Sequence, residues 1–365
     1  MNRVEVAVVG AGVTGLAVAR ELTTRGVSVA VVDRVGIAAG ASGVQPGGVR
    51  QQWGTRVACR LARESVAFWQ QANERLLPRV PLEFRACGYL FVAESADTVA
   101  RLRANVELQN DEGVASRIVG PEEASALVPG LDASALAGAA WCGDDGYFDR
   151  PQSVVDAFAR GIEIHRANVS ELRRDGSGWI AGPIAAQAVV VAAGVDARAL
   201  LAPLGVELPI VREDRFLFFS EPIRERLLEP LVVAPERSFA AKQLADGRVL
   251  ASDLGARGDP ERGRERWRAT ISHASKTLLP QLTHVSYPLL VAGAYDVTPD
   301  HQPILGPVGD GVVVAAGFSG HGFMIAPAVA RITADVLAGE RDPVLDILGA
   351  DRFAAGRLVT EPQLV

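Results

Sequence analysis

The sequence predicts an α/β fold in which a parallel sheet adjoins a second part of α+β character. Apolar runs at residues 4–9 and 27–32 enclose a helical repeat near the N-terminus, as parallel strands joined by a helix would. A third apolar run at residues 312–316 again precedes a glycine-rich turn and a helical repeat. Between them, residues 206–292 contain short alternating runs, which are typical of a mixed or antiparallel sheet.

Residues 4–34 predict a Rossmann-like dinucleotide-binding unit. Gly10, Gly12 and Gly15 complete a G-x-G-x-x-G pattern directly after the first apolar run. In this pattern the first glycine allows a tight turn, the second lets a pyrophosphate approach the backbone, and the third lets the helix pack close to the strand. Asp33 ends the second run, where its carboxylate is placed to accept hydrogen bonds from a ribose.

The start of the predicted helix extends this site. Val13 and Thr14 follow the second glycine, so they lie at the positive end of the helix dipole, where phosphates bind. Asp33 would repel the extra phosphate of NADP, although the adjacent Arg34 weakens that argument. The pattern alone does not separate FAD from NAD.

Composition excludes several classes of function. A net charge of −6 gives no reason to expect nucleic acid or an anionic membrane as partner. Cys59, Cys87 and Cys142 are too widely spaced for a zinc site or a disulfide framework, which favours a reducing cytoplasm. We expect no metal site. We also expect no signal peptide and no transmembrane segment, because the first apolar run belongs to the nucleotide unit and no run approaches the ~20 residues that a spanning helix needs.

The remaining elements follow from periodicity and turn residues. Loop 36–48 is rich in small residues, which let the backbone pass close to a ligand; an ordinary flexible loop is the alternative. The predicted helices are 56–77, 98–112, a short one from residue 121, 151–159, 261–279 and 323–337, with Pro327 in the first turn of the last. The predicted strands are 81–92, 162–165, a hairpin of 169–172 with 178–181, 188–193, 215–220, 238–242 and 248–252, and residues 141–149 are predicted as a loop.

Two further glycine-containing turns are expected to lie at the dinucleotide, and the second of them indicates which dinucleotide is bound. Ala193 and Gly194 end a buried run, and in a doubly wound sheet such a turn faces the ligand crevice. The turn 317–322 opens the last long helix, which brings a second helix N-terminus to the dinucleotide. Reduced flavin carries negative charge at its pyrimidine end, and a helix N-terminus stabilises that charge, whereas NAD has no such requirement. The second turn therefore favours FAD.

Four motifs carry a resemblance to a known family. They are GASG at 40–43, GGVRQQ at 47–52, AYDVTPDHQPILG at 294–306 and GFSGHGFM at 317–324. In this order they resemble the D-amino-acid oxidase/sarcosine oxidase superfamily of FAD-dependent oxidoreductases. Sarcosine oxidase β-type chains and dye-linked proline dehydrogenase catalytic chains are the most similar groups. The resemblance covers essentially the whole chain and is more specific for the superfamily than for a substrate.

The resemblance implies two interleaved domains and an activity. Segments 1–77, 146–205 and 294–365 would form the FAD-binding domain, and segments 78–145 and 206–293 the substrate domain. The implied reaction is oxidation of the C–N bond of a small or secondary amino acid, of the sarcosine, proline, glycine or D-amino-acid type. It proceeds by hydride transfer to FAD, and the imine is then hydrolysed in water.

The resemblance also assigns cofactor contacts. Ser42 matches the pyrophosphate loop, Val169 a strand edge whose backbone meets adenine, and Met324 the turn at the pyrimidine end of the flavin. The residues expected to bind FAD are Gly10, Gly12, Val13, Thr14, Gly15, Asp33, Arg34, Ala41, Ser42, Gly48, Val49, Val169, Ala193, Gly194, Gly320, Gly322, Phe323 and Met324. FAD is expected to be non-covalent, because no cysteine matches a tethering position and loop 36–52 contains no histidine.

The substrate side departs from the family pattern. Monomeric sarcosine oxidases carry a lysine at the Met324 position, and similar glycine oxidases an arginine at the Tyr295 position. Lys242, Arg50 or Arg215 could hold the substrate carboxylate instead. The structural alternatives are a solvated strand-end lysine for Lys242 and a phosphate or loop contact for Arg50, and Arg215 is interpreted mainly as structural.

Four residues are the catalytic candidates: Arg50, Lys242, Tyr295 and His321. His321 could act as a base, but a role in shaping its turn is favoured, since hydride transfer from a neutral amine needs no strong base. Tyr295 could orient the substrate or pack against the flavin.

Two other functions remain open: a 2-hydroxy-acid FAD oxidoreductase and a non-catalytic FAD-containing assembly factor. The electron acceptor is oxygen or another acceptor such as a dye, a quinone or a partner subunit. The location is expected to be cytoplasmic, with peripheral attachment at the inner membrane face as the alternative. Whether the chain forms homo- or hetero-oligomers is left open.

Overall fold

The computed structural model describes residues 2–362, which form two large sheets with helices packed against them. The helices are α1 Val13–Thr24, α2 Arg56–Gln70, α3 Ala72–Leu76, α4 Ala96–Asp111, α5 Pro121–Leu127, α6 Pro151–Ala159, α7 Ala197–Leu201, α8 Pro260–Leu278, α9 Gly322–Leu337, α10 Leu345–Leu348 and α11 Asp351–Ala354. The strands are β1 Asn2–Val9, β2 Val29–Asp33, β3 Gly48–Val49, β4 Phe84–Arg85, β5 Tyr89–Ala93, β6 Ser116–Val119, β7 Gly138–Cys142, β8 Gly146–Phe148, β9 Glu163–Arg166, β10 Leu172–Asp175, β11 Gly178–Ala181, β12 Ile184–Val191, β13 Val211–Phe219, β14 Leu231–Ala234, β15 Phe239–Gln243, β16 Val249–Asp253, β17 Leu289–Val297, β18 Ile304–Gly309 and β19 Val312–Ala316.

The first sheet has a parallel centre. Its order is β10-β11-β12-β1-β2-β9, with β19 beside β12 and β18 beside β19, and β9, β2, β1, β12 and β19 run parallel. Helices α1, α6 and α9 pack on one face, where Val8, Leu16 and Ala326 lie in one buried cluster. The carboxyl ends of the parallel strands lead into the glycine turns, so these turns meet at one edge of the sheet, where α/β proteins bind ligands.

The second sheet is mixed. Its order is β17-β13-β16-β15-β14-β5-β7-β6, and every pair is antiparallel except β14 with β5. Helix α8 covers one face, with Trp267 and Ile271 packed against residues of the strands. The α/β class predicted from the sequence, with its mixed second sheet, is confirmed.

The prediction of a loop at residues 141–149 is wrong. Part of this stretch belongs to β7, which lies between β5 and β6, and part to β8, which joins β3 and β4 in a small third sheet. Cys142 and Phe148 are fully buried there. These strands exist because distant strands pair with them, which local periodicity does not reveal.

Two smaller expectations also change. Pro327 lies inside α9 rather than in its first turn, because the helix begins at Gly322. The predicted hairpin forms from β10 and β11, and Val169 precedes the first of them.

The five-segment domain division stays a prediction. The strands of the first sheet lie within 1–77, 146–205 and 294–365, whereas β17 continues past the predicted border at residue 293. Among the described residues, no helix is both long and apolar enough to cross a membrane.

Candidate active site

A cavity of about 750 Å³ lies between the two large sheets. Its lining begins at Gly10 and Asp33 in the first sheet and includes Lys242 and Leu250 in the second. Most residues predicted to bind a cofactor line this single cavity, together with all four catalytic candidates.

The glycines of the N-terminal motif permit very close packing at one end. Gly10 has φ +114°, and a Cβ atom there would lie 2.3 Å from the carbonyl oxygen of Ala192. A Cβ atom on Gly15 would lie 2.0 Å from the carbonyl oxygen of Gly10. Only glycine therefore lets β1, the start of α1 and the end of β12 meet here, as the motif predicts. Gly15 itself contributes to this packing rather than to the cavity lining.

The polar groups near this end are fixed by the backbone. The Oδ2 atom of Asp33 accepts a hydrogen bond from the Ala11 N–H at 2.9 Å, and its Oδ1 atom accepts from the N–H groups of Val35 and Gly36, both at 2.8 Å. The Ser42 hydroxyl oxygen accepts from the Val13 N–H at 2.9 Å, which ties loop 40–43 to the start of α1. Both side chains are thus oriented by contacts within the chain.

Most of the other residues predicted to bind the cofactor line the cavity, but Val49 does not. Thr14, Arg34, Val169 and Gly194 line the cavity, and so do Ala41, Gly48 and Ala193. Arg34 forms an exposed ion pair with Asp196, at 2.9 Å. The side chain of Val49 instead lies fully buried in the core beneath α1 and α9.

The second glycine turn forms the far end. Gly320, Gly322, Phe323 and Met324 line the cavity where α9 begins. Gly320 has φ +93°, and a Cβ atom there would lie 2.2 Å from the ring of Tyr295, so this aromatic ring packs directly on the turn.

Two buried carboxylates support this region. The Oδ2 atom of Asp296 accepts a hydrogen bond from the Gly317 N–H at 2.7 Å. Burial raises the pKa of Asp296 to about 6. Asp300 forms a buried ion pair with Arg352, with 2.8 Å between Oδ2 and Nε. Neither Asp300 nor Arg352 lines the cavity, so their ion pair stabilises the fold and does not face the cavity.

Arg50 brings a cation to the cavity wall. Its guanidinium carbon lies 3.5 Å from the centroid of the Trp53 ring, and its Nη1 donates to the carbonyl oxygen of Gln52. Burial lowers the pKa of Arg50 to about 10, which still leaves it charged at neutral pH. Stacking on an indole offsets part of the cost of that burial.

Lys242 is fully buried on β15, so its interpretation as a solvated strand-end lysine is wrong. Its Nζ donates to the carbonyl oxygen of Pro46 and lies 3.9 Å from the centroid of the Tyr147 ring. Burial lowers the pKa of Lys242 to about 7. The ammonium group is therefore charged in only part of the molecules at neutral pH.

Arg215 and Tyr295 lie on neighbouring strands. Arg215 pairs with Glu213 at 2.7 Å, and its guanidinium carbon lies 5.1 Å from the centroid of the Tyr295 ring. Burial raises the pKa of Tyr295, so its hydroxyl stays protonated. The ion pair already compensates the charge of Arg215, which agrees with its structural interpretation.

His321 is buried at the N-terminus of α9. Its ring lies edge-on to Trp53, with 4.1 Å between centroids, and its Nε2 has no hydrogen-bond partner among residues 2–362. Burial lowers the pKa of His321 well below its usual value, so the imidazole is neutral. A group that holds a proton so weakly is a poor general base at neutral pH.

Sequence reasoning missed part of the wall. Tyr89 lines the cavity next to Gly48, where a Cβ atom would lie 2.2 Å from the phenol oxygen. Leu231 lies opposite Tyr89, and Leu250 opposite Lys242, on one face of the second sheet. The alternation within residues 248–252 predicts which of these side chains share one face of the strand. It does not indicate which strands lie beside it, so this part of the cavity wall could not be assembled from the sequence.

The fold and this site define a dinucleotide-dependent oxidoreductase, in which a second sheet closes the crevice of a Rossmann-like sheet. A family model described as DAO, FAD dependent oxidoreductase, matches residues 5–336. A glycine oxidase from Pseudomonas aeruginosa is 30% identical, over 97% of this chain and 99% of that protein. The crystal structure of L-proline dehydrogenase from P. horikoshii superposes with a TM-score of 0.90 at 28% identity, covering 98% of this chain and 100% of the other. A glycine oxidase structure from Geobacillus kaustophilus gives a TM-score of 0.83 at 24% identity, covering 94% of this chain and 96% of the other.

The chain belongs to the DAO family of FAD-dependent oxidoreductases. It is an FAD-dependent amino-acid oxidase or dehydrogenase, and FAD is its cofactor. The residues of the cavity fit this group. Glycines leave room where the chain passes closest, and the N-terminal ends of α1 and α9 lie at the cavity, where they attract the negative charges of a pyrophosphate and of a reduced flavin.

Proposed function

We propose that the protein oxidises the C–N bond of a small or secondary α-amino acid, with sarcosine, proline, glycine and small D-amino acids as the leading substrates. The observation that supports this proposal is the set of charged and phenolic residues that line one cavity. Buried Arg50, Lys242 and Tyr89 line the same cavity as the half-buried Tyr295 and the start of α9. Cationic and phenolic groups in one compartment suit a carboxylate.

Arg50 is the proposed carboxylate anchor. Its charge persists at every pH near neutrality, whereas Lys242 loses its proton near pH 7 and Arg215 is already paired with Glu213. Arginine also matches the planar shape of a carboxylate better than lysine does.

When bound, FAD supplies the hydride acceptor. The residues of the chain hold the carboxylate, exclude water from the reacting carbon and accept a substrate whose amine is already neutral. Because His321 binds protons weakly, the amine loses its proton before or during binding rather than to this imidazole. The imine product is hydrolysed in water.

Apolar residues in the cavity wall favour some of these substrates over others. Leu217, Leu231 and Leu250 line the cavity beside the cations. Covering this surface with an N-methyl group or a small ring gains roughly 25 cal/mol per Å² of apolar area, which favours sarcosine or proline over glycine. The glycine oxidase and L-proline dehydrogenase relatives support the same range of substrates.

A panel of substrates tests the proposal. The FAD-loaded protein is mixed anaerobically with sarcosine, glycine, L- and D-proline, D-alanine and L-lactate, and loss of the yellow flavin absorbance is followed. We expect bleaching by at least one amino acid, with the substrate concentration for half-maximal bleaching rate raised roughly a hundredfold in Arg50→Met, since losing a charged pair costs about 3 kcal/mol. The control is Arg79→Met, which changes an exposed arginine. Bleaching by L-lactate alone would favour a 2-hydroxy-acid oxidoreductase, and bleaching by no compound would favour an assembly factor.

A further inference from the structure

Arg50 reaches the cavity on a buried segment that has no helix or strand of its own. Residues 50–55 lie between β3 and α2, and Arg50, Gln52 and Trp53 are each at most 2% exposed. Buried backbone groups need hydrogen-bond partners, and this segment cannot take them from a regular element. Its position therefore depends on side chains that come from elsewhere in the chain.

Asp145 holds one half of the segment. It is fully buried between β7 and β8, and its Oδ1 accepts from the Gln51 N–H at 2.8 Å. Its Oδ2 accepts from the Gln52 Nε2 at 3.1 Å. One carboxylate thus fixes the two residues that directly follow Arg50.

Glu361 holds the other half. It is 1% exposed, and its two carboxylate oxygens accept from the Gly54 N–H at 2.8 Å and from the Thr55 hydroxyl at 2.7 Å. Its own N–H donates to the carbonyl oxygen of Asp300 at 2.9 Å, which anchors it to the turn before β18. The carboxylate also lies at the N-terminus of α2, where negative charge is favourable.

Trp53 lies between these two supports. Its Nε1 donates to the Arg50 carbonyl oxygen at 3.1 Å, and the Arg50 guanidinium stacks on its ring. A displacement of either half of the segment would move the indole and the guanidinium together. Asp145 and Glu361 both attract the Arg50 charge as well.

We infer that Asp145 and Glu361 are positioning residues that hold Arg50 in its anion-binding orientation from the two sides of segment 50–55. The inference deepens the proposed function and rests on it for the role of Arg50. Neither carboxylate lines the cavity, so both act through the segment and not on the substrate.

The protonation of Asp145 gives a readout that distinguishes positioning from mere packing. Burial raises the pKa of Asp145 to about 6, against hydrogen bonds from Gln51 and Gln52 and the charge of Arg50. The other titratable groups that act on it are Cys142 and Tyr89. Above about pH 6 the carboxylate is ionised and accepts from both residues; below it, the added proton removes the negative charge that strengthens these hydrogen bonds.

Binding of benzoate to the FAD-loaded protein, followed by the change in flavin absorbance, tests the inference without requiring turnover. Asp145→Asn and Glu361→Gln should each weaken benzoate binding about tenfold at about pH 8, as expected for losing one charged hydrogen bond. The ratio of Asp145→Asn to wild-type Kd should fall towards one at about pH 5, where both proteins are neutral at this position. Asp144→Asn and Glu340→Gln change exposed carboxylates and are the matched controls.

Two outcomes would overturn the inference: unchanged or tighter benzoate binding in both variants, or a Kd ratio that does not vary with pH. Should Asp145→Asn fail to fold, Glu361→Gln and Asp145→Glu carry the test, and Asp145→Glu, which keeps the carboxylate, should bind benzoate more weakly than the wild type by less than about tenfold. If Arg50→Met also binds benzoate as tightly as the wild type, the assignment of Arg50 as anchor fails instead.

Discussion

Lys242 shows at the scale of one residue how burial sets a charge. Burial lowers its pKa to about 7, whereas an unfolded chain holds this proton up to about pH 10.4. The cost of burying the ammonium is therefore present in full below pH 7 and shrinks as the pH rises.

Between about pH 7 and pH 10, we expect the free energy of unfolding of the wild type to gain ~1.4 kcal/mol per pH unit relative to Lys242→Met. Denaturant titrations at several pH values measure this, with exposed Lys276→Met as the control. A constant difference would mean that Lys242 keeps its proton in the fold.

We also propose that Lys242 promotes the reaction of the reduced protein with oxygen. A positive charge in the cavity stabilises the negative charge that develops on oxygen during reduction. Lys242→Met should lower the rate of reoxidation by oxygen roughly tenfold and leave the rate with an artificial dye within about twofold. Stopped-flow mixing of the reduced protein with either acceptor measures both rates. Equal oxygen rates in the variant and the wild type would remove Lys242 from this role.

The cysteines support non-covalent binding of FAD. Burial raises the pKa of Cys59 to about 12 and also raises those of Cys87 and Cys142, so thiolates are scarce at neutral pH. None of the three lines the cavity within the described chain. Acid precipitation should therefore leave the yellow colour in the supernatant, as absorbance of the two fractions will show. A yellow pellet that resists washing would contradict this prediction.

At the scale of elements, the junction of β1 and α1 depends on Gly15. A Cβ atom here would lie 2.0 Å from the Gly10 carbonyl oxygen, so Gly15→Ala must push α1 away from the sheet. Overpacking of this kind costs about 1–3 kcal/mol, and we expect FAD to bind roughly tenfold or more weakly. Flavin fluorescence during titration of the apoprotein measures the change. Gly309→Ala, on β18 with open space around the added Cβ, is the control. Equal affinities in the two variants would show that this contact does not support the cofactor site.

At the scale of the whole molecule, local patterns predicted only what local contacts determine. Gly15 and Asp33 could be predicted because the groups they contact, the Gly10 carbonyl oxygen and the Ala11 N–H, lie within one short βαβ unit. Asp145 and Glu361 could not be predicted in the same way, since they contact residues 94 and 306 positions away in the sequence. The strands at 138–148 were missed for the same reason, because their partners lie elsewhere in the chain.

The C-terminal part of the chain is joined to the first sheet by a buried ion pair. Arg352 on α11 donates from Nε and Nη2 to the two carboxylate oxygens of Asp300, at 2.8 and 3.0 Å, and both residues are fully buried. Removing one partner leaves the other charge buried and uncompensated, which costs about 3–5 kcal/mol of unfolding free energy. We expect that loss in Arg352→Met and in Asp300→Asn.

The combined Arg352→Met, Asp300→Asn variant should be less destabilised than the sum of the two single variants, because it leaves no unpaired charge. Asp351→Asn removes an exposed pair with Arg357 next to this site and should cost only about 0–1 kcal/mol. Denaturant curves of all four variants and the wild type measure the coupling. Additive losses in the combined variant would show that the two charges contribute independently. Because Glu361 donates its N–H to Asp300, a coupled result would also predict weaker benzoate binding in Asp300→Asn, as the support of the Arg50 segment loosens with the pair.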